Sequence, residues 1–347
     1  MSAQTYHLAA EHEGLSLPQA LKRLLPKHSW SQIRKLVAGR QVQVNGNLCL
    51  DEGRRVQAGD VLKLADHPLA KPADASDIRI VYLDEHLVVV QKPTGVTTLR
   101  HREETDLPQR RKQLQPTLDE LLPQVLATHL GIRSKLEHSK GRSSHRAKDR
   151  SRSIAADPRI VIRPVHRLDR DTSGLMIFAR TIVTEQRLIR MFAKHAVQRA
   201  YVAFAHGHVE AQTIDTWLVR DRGDGLRGSS PLGEAVEGAQ RAITHLRPIE
   251  YLPGYTIVEC RLETGRTHQI RIHLSEQGHM LCGEKTYTHP LEGKPQTDTS
   301  QAPRHALHAA ELAFIHPITS RPLRFQMPLP KDLRDWLPNL RAAGPSS

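Results

Sequence analysis

From Ile160 onward the chain is a succession of short apolar runs of strand length, broken by polar turns and one helical face. This pattern limits the fold more than any other feature. Ile160-Val161-Ile162 reads as a strand, His166 to Gly174 as a polar loop, and Leu175 to Ala179 as a second apolar run. Leu188, Ile189, Phe192, Ala193 and Ala196 mark one face of a helix. Tyr201 to Ala205 and Tyr255 to Leu262 alternate as strands do. Upstream, Ile78 to Tyr82 and Leu87 to Gln91 flank the turn Asp84-Glu85-His86. Several strands and few helices predict an α+β domain with a largely antiparallel sheet.

A smaller module precedes it. Ser16-Leu17-Pro18-Gln19 and Ser29-Trp30-Ser31-Gln32 each fit a capping box, the first with proline in the first turn. Ala20, Leu21, Leu24 and Leu25 share one side of the first helix, and Ile33, Leu36 and Val37 one side of the second. Gly39 stands where a C′ glycine belongs. Gln41 to Val44 alternates, Asn45-Gly46 is a hairpin signal, and Val56, Val61 and Leu62 supply the remaining strand material. Lys22, Arg23, Lys27, Arg34, Lys35 and Arg40 decorate the two helices, either as a solvated surface or as one that meets RNA phosphates.

Between the two modules, residues 67–77 read as a Pro- and Ala-rich linker. Thr117-Leu118-Asp119-Glu120 opens a Leu-rich helix that Pro123 is expected to kink or shorten. Residues 131–152 hold eight Lys or Arg against two acids and almost nothing apolar after Leu136, so a basic, flexible insertion is expected within about 99–157. The whole chain of 347 residues has 50 Lys plus Arg against 37 Asp plus Glu, a balance that favours a polyanionic partner. Three cysteines, far apart, argue against a disulfide framework and a Cys-rich zinc site. No apolar run is long enough to span a membrane, and the start lacks the pattern of a secretory signal, so a cytoplasmic protein is expected.

Two clusters of polar residues carry the candidate chemistry. His166-Arg167-Leu168-Asp169-Arg170-Asp171-Thr172-Ser173-Gly174 crowds carboxylates, guanidiniums, an imidazole and hydroxyls into one loop. A carboxylate flanked by arginines stays ionised at pH 7 and can act as nucleophile or base. The same residues equally describe a loop whose Asp and Ser side chains cap backbone donors. In Gly265-Arg266-Thr267-His268-Gln269-Ile270-Arg271-Ile272-His273-Leu274, Thr267 is a candidate helix cap that would put His268 and Arg271 on a shared face. The alternation of Ile270, Ile272 and Leu274 fits a strand as well, and the histidine spacing does not match a zinc site.

Taken together these blocks resemble the RluA family of RNA pseudouridine synthases. The 166–174 loop resembles that family's signature almost letter for letter. Leu83-Asp84-Glu85 with Lys92-Pro93-x-Gly95 resembles its leading hairpin, Tyr201-Val202-Ala203 ending at Gly207 its tyrosine strand, and Leu262-x-Thr264-Gly265 through Arg271 its arginine motif. Leu307-His308-Ala309 with Phe314, His316 and Pro317 resembles its closing block. Residues 16–64 are similar to the S-four-type RNA-binding domain. The resemblance implies an S-four-type domain over 14–66 and, over 78–340, a pseudouridine synthase domain with a mainly antiparallel mixed sheet. Two departures stand out. The interval from Pro93 to His166 is longer than usual, and the usual Gly-Asp-x-x-Tyr-Gly is here Gly283-Glu284-Lys285-Thr286-Tyr287-Thr288. Neither is expected to touch the catalytic residues.

What the resemblance implies for chemistry is isomerisation of uridine to pseudouridine in structured RNA, large-subunit ribosomal RNA before transfer RNA. Asp169 would be the essential carboxylate, Arg271 its guanidinium partner and Tyr201 the residue packed on uracil. Arg167, His166, Arg266 and His268, with Arg34, Lys35, Lys22 and Arg23 of the first module, would meet the RNA. The reaction is an isomerisation, so neither cofactor nor metal is expected, and the protein is expected to act as a monomer. An inert RNA-binding or ribosome-assembly protein on the same scaffold, and a nucleoside hydrolase, are the competing readings.

Overall fold

Local signals and burial agree closely in the first module. The computed structural model describes residues 4–45, 47–65, 74–100, 115–132, 157–230 and 234–342. These form two compact units, one within Met1–Asp74 and Leu99–Thr117, the other within Ala75–Thr98 and Leu118–Ser347. In the first unit, β1 (Gln4–His7) is followed by α1 (Leu17–Leu24), α2 (Trp30–Ala38), β2 (Val42–Val44), β3 (Asn47–Leu48) and β4 (Val61–Leu64). Both capping boxes form: Gln19 and Gln32 accept the Ser16 and Ser29 backbone N–H at 2.8 and 2.7 Å. The helices bury Leu17, Ala20, Leu21, Ile33 and Val37 against Val42, Val44 and Leu62 of an antiparallel sheet ordered β1-β4-β2-β3.

Three expectations for this unit need correction. It begins before residue 14, because β1 pairs with β4 (Thr5 opposite Lys63) and Leu8 is buried. β1 carries mostly exposed polar residues, so alternation does not reveal it. Gly39 is not the left-handed C′ residue: it closes α2 at φ −77°, and Arg40 takes φ 60°. Glycine is still required at 39, where a Cβ would lie 2.6 Å from the Lys35 carbonyl oxygen. Val56 is buried but lies outside the strands. Residues 67–73 of the expected linker, and Gly46 of the hairpin signal, lie outside the described residues; Ala75–Asp77 form a 3-10 turn.

The second unit contains β5 (Arg79–Leu83), β6 (Leu87–Lys92), α3 (Leu118–His129), β7 (Arg163–Pro164), β8 (Ser173–Ala179), α4 (Ile182–Ala193) and β9 (Gln198–His206). After these come β10 (Gln212–Val219), β11 (Gly228–Ser229), β12 (Gln240–Leu252), β13 (Tyr255–Leu262), α5 (Gln269–Glu276), β14 (Leu307–Ile315), β15 (Pro322–Gln326) and α6 (Lys331–Ala342). Among the described residues the sheet runs β11-β10-β12-β13-β9-β14-β8-β6-β5, with β15 on β14 and β7 on β8. Every pairing is antiparallel except β14 with β8. The fold is therefore α+β, with a small N-terminal domain and a mostly antiparallel mixed sheet.

β8 is buried along its whole length, which is why its run is continuously apolar. Gly174 sits at its start with φ 129°, and a Cβ there would meet the Ala309 carbonyl oxygen at 2.3 Å, so only glycine lets β14 come this close. Ile160-Val161-Ile162 is not a strand. Pro158–Ile160 form a 3-10 turn capped by Asp157, and pairing begins only at Arg163. α3 passes through Pro123, with Leu118, Leu122 and Leu126 fully buried at i, i+4 and i+8 spacing. That packing outweighs the single helical hydrogen bond proline removes. α4 buries Thr184 and Leu188, whereas Ile189 and Ala193, read as part of one helical face, are exposed, as is Ala196, which lies beyond the helix end. The basic stretch expected within 99–157 falls almost entirely on residues 101–114 and 133–156, outside the described residues.

Candidate active site

The polar loop ahead of β8 forms one wall of a cleft of about 470 Å³ in the second unit. Thr98 fixes the loop's start by donating to the Leu168 carbonyl at 2.8 Å and accepting the Leu168 N–H at 3.1 Å. Below it, the fully buried Lys92 ammonium donates to the carbonyls of Pro93, Arg170 and Thr172 at 2.9, 2.9 and 2.8 Å. Burial lowers the Lys92 pKa to about 7, with Asp171 and Asp169 favouring the charged form. Arg304 donates to the Asp171 carbonyl at 2.9 Å and to Ser173 Oγ at 2.9 Å, and Thr172 Oγ1 lies 2.9 Å from His305 Nε2. The loop is thus tied to three distant segments.

These ties leave the Asp169 carboxylate on the cleft wall, 16% exposed. Arg271 Nη1 donates to its Oδ2 at 3.3 Å, and His268 Nε2 lies 3.7 Å from its Oδ1. Burial pushes the Asp169 pKa up, but His268, Arg271 and His305 together bring it down to about 2. Because burial lowers the pKa of His268 itself, Arg271 is the cation that persists at neutral pH.

Arg271 comes from α5, which settles the helix-or-strand ambiguity. All eight residues of α5 are buried, so no alternation of exposure exists to read. Its N-cap is His268, in the left-handed region at φ 61°, rather than Thr267. Gln269 locks the approach by accepting from Thr264 Oγ1 at 2.8 Å and from the Arg266 N–H at 2.9 Å.

The guanidinium is aimed by Glu284, which is 3% exposed and accepts Arg271 Nε and Nη2 at 2.8 Å each. Glu284 Oε1 also takes the N–H groups of Lys285, Thr286 and Tyr287 at 3.0, 2.8 and 3.3 Å. Burial opposes both charges, yet each stabilises the other: the Arg271 pKa is raised and that of Glu284 held well below the carboxylate range. The Tyr287 ring lies under Arg271 at 5.1 Å, and its hydroxyl meets His268 Nδ1 at 2.6 Å. The 283–288 block therefore does touch the Asp169 partner, contrary to the expectation from sequence.

Tyr201 faces the cleft from β9, 7% exposed, and burial raises its pKa. Arg167 stands exposed at the rim. Arg266 lines the same cleft, its Nε donating to the Arg241 carbonyl at 3.0 Å. His166 differs from the expected RNA contact. Its Nε2 accepts the Ile177 N–H at 3.0 Å, its ring stacks on Phe192, and burial lowers its pKa to about 3. It is a neutral brace for the loop.

The four N-terminal cations divide in two. Lys22 donates to the Pro26 and His28 carbonyls at 2.8 and 2.6 Å, so it closes the turn between α1 and α2 rather than facing outward, and Arg23 holds the Glu11 carbonyl at 2.8 Å. Arg34 is exposed with a loose Glu52 contact at 3.5 Å, and Lys35 is exposed beside it. Trp30, half exposed one turn before Arg34, was missed by sequence reasoning, although an aromatic beside cations on a helix is a readable signal. Lys92, Arg199, Glu284, Tyr287, Arg304 and His305 were also missed as parts of the site.

A family model described as RNA pseudouridylate synthase matches residues 86–276, and one described as S4 domain matches residues 16–62. Over 341 residues the chain is 33% identical to "Ribosomal large subunit pseudouridine synthase D" of Zymomonas mobilis, covering 96% of each. It is 31% identical over 338 residues to the protein of the same description from Xylella fastidiosa, covering 94% of this chain and 89% of that one. Among solved structures, "Human RNA Pseudouridylate Synthase Domain Containing 4" superposes with TM-score 0.53 at 21% identity, covering 76% of this chain and 92% of that one, which shows the shared fold.

Fold and cleft thus define an RNA-modifying isomerase with an N-terminal S4 domain. The chain belongs to the RNA pseudouridylate synthase family.

Proposed function

We propose that this protein converts specific uridines of large-subunit ribosomal RNA to pseudouridine, with Asp169 as the carboxylate that meets the electron-poor C1′ of the target nucleotide. The relatives named as large-subunit synthases, matched over nearly their whole length, support the choice of RNA. The observation that carries the reading is the Asp169 carboxylate, held ionised on a cleft wall by a buried guanidinium.

Breaking N1–C1′ leaves positive charge at C1′, which an ionised carboxylate stabilises as in glycoside cleavage. Uracil then turns and joins C5 to C1′; the C5 proton departs and N1 gains one, so the reaction balances without an external reactant. Tyr201 packs against the base while it turns. The target base has to leave its stack to enter the cleft, which costs a few kcal/mol. Arg167 at the rim fills the vacancy with a planar cation and offsets part of that cost. Arg34 and Lys35 contribute phosphate contacts from the N-terminal domain.

The test compares pseudouridine maps of cellular RNA with and without the gene, complemented by wild type or Asp169→Asn. A ribosomal site that disappears and returns only with wild type is the expected result. Loss of a transfer RNA site instead would move the substrate, and no change at any site would overturn the activity.

A further inference from the structure

Among the described residues, Arg199 is a buried cation with no acid beside it. It lies on β9 two residues before Tyr201, hence on the same face of the strand, and both line the cleft. The residue is 9% exposed. Its Nη2 donates to the carbonyls of Glu263 and Thr264 at 3.0 and 3.3 Å, and its guanidinium lies over the Phe192 ring at 5.4 Å. Its Nε is enclosed without an acceptor, and among the described residues no carboxylate pairs with it. At Gly265 a Cβ would fall 2.6 Å from Nη1, so the glycine is what lets the guanidinium lie this close to the backbone. Of its neighbours, His166 is neutral at pH 7 and His195 turns Nδ1 to the Glu263 carbonyl.

A desolvated guanidinium held by two carbonyls is poorly compensated, and proteins rarely bury such a charge without an anion to meet it. Arg271 in the same cleft has Glu284 and Asp169; Arg199 has neither. Burial correspondingly lowers its pKa.

We propose that Arg199 is the receptor for a backbone phosphodiester of the bound RNA strand beside the everted uridine. The inference rests on the pseudouridine synthase reading. A permanent cation calls for a permanent anion, and before reaction the phosphates are the charged groups an RNA strand carries. Uracil becomes anionic only while the glycosidic bond is broken. Alternate strand residues are about 6.5 Å apart, close enough for one nucleotide to reach both Tyr201 with its base and Arg199 with its phosphate.

The experiment uses the full-length protein and an RNA stem-loop carrying the uridine mapped as its target. Arg199→Gln is expected to weaken RNA binding about 10- to 100-fold, as for loss of a charge-assisted hydrogen bond. It should also reduce the slope of log Kd against log salt by about 0.7–0.9. Arg199→Lys keeps the charge and should retain the slope. Neutral methylphosphonate linkages placed singly around the target in the same stem-loop give a test on wild type: one linkage should reproduce the loss, and should cost little more when combined with Arg199→Gln. If that variant does not fold, by its thermal melt, the linkage scan on wild type and Arg199→Lys decides. A loss confined to the single-turnover rate at saturating RNA, with Kd and slope kept, overturns the proposal. So does a scan in which no flanking linkage affects binding. Failure of wild type to form pseudouridine in any RNA would instead overturn the function itself.

Discussion

Replacing Glu284 by glutamine keeps its shape and removes its charge. Glu284 Oε1 already takes the N–H groups of residues 285–287, so the amide oxygen must stay there and the amide NH2 must face Arg271 Nε, where Oε2 now accepts at 2.8 Å. Two donors then oppose each other in a site 3% exposed. Removing one side of a buried pair costs about 3–5 kcal/mol, because the remaining charge keeps its desolvation cost without its counter-ion. Asp169, 3.3 Å from Nη1, compensates part of that charge, so the lower end, about 3 kcal/mol, is expected. For a domain of this size, this corresponds to a fall in Tm of about 6–12 °C. The sign of the pH dependence is fixed as well. A carboxylate whose folded pKa lies below its ordinary value of 4.5 contributes stability that is complete above that pH and is lost as pH falls toward the folded value. The gap between wild type and Glu284→Gln should therefore narrow on acidification below pH 4.5. Thermal melts of the full-length pair across pH 7 to 3 measure both effects. A gap under about 2 °C at pH 7, or one that widens in acid, would refute the reasoning.

Arg271→Gln removes the lasting cation beside Asp169, so the carboxyl pKa should rise from about 2 and the acid limb of the single-turnover rate should move up in pH; a limb that stays in place contradicts the pairing. Gly174→Ala puts a Cβ 2.3 Å from the Ala309 carbonyl oxygen at φ 129°, which should cost at least about 2 kcal/mol in a denaturant melt. Arg34→Ala with Lys35→Ala should flatten the salt dependence of RNA binding by about 0.7–0.9 per lost phosphate contact, whereas Lys22→Ala should show itself in the melting of the N-terminal domain. Trp30→Ala should weaken binding of unpaired RNA by about 1–3 kcal/mol if its exposed ring stacks on a base.

The parts of the site that were readable in the sequence lie close together along the chain. Asp169 with its flanking loop and Arg271 with its arginine motif are local patterns, and the structure brings both to one cleft. The parts that were not readable act across long separations. Nothing near Lys92 announces that its ammonium sits under residues 170–172, and nothing near Arg271 names Glu284 as its partner. Periodicity failed where its premise failed: α5 is buried on every side, and α4 leaves Ile189 in solvent. Asp84 and His316, read as parts of motif blocks, are joined at 2.9 Å and latch the β5–β6 turn to the β14–β15 turn, so their place in the pattern is architectural.

The one parallel pairing among the described residues, β14 with β8, sets an order of events during synthesis. β8 carries the carboxylate loop, but its neighbour β14 and the supports Arg304 and His305 are made more than a hundred residues later. A growing chain that has emerged only as far as α5 holds every atom of Asp169 and Arg271 yet lacks the platform beneath them. Competence therefore waits for the C-terminal part of the chain, which brings β14 beside β8. A protein cut before residue 304 would keep its reactive groups and still be silent.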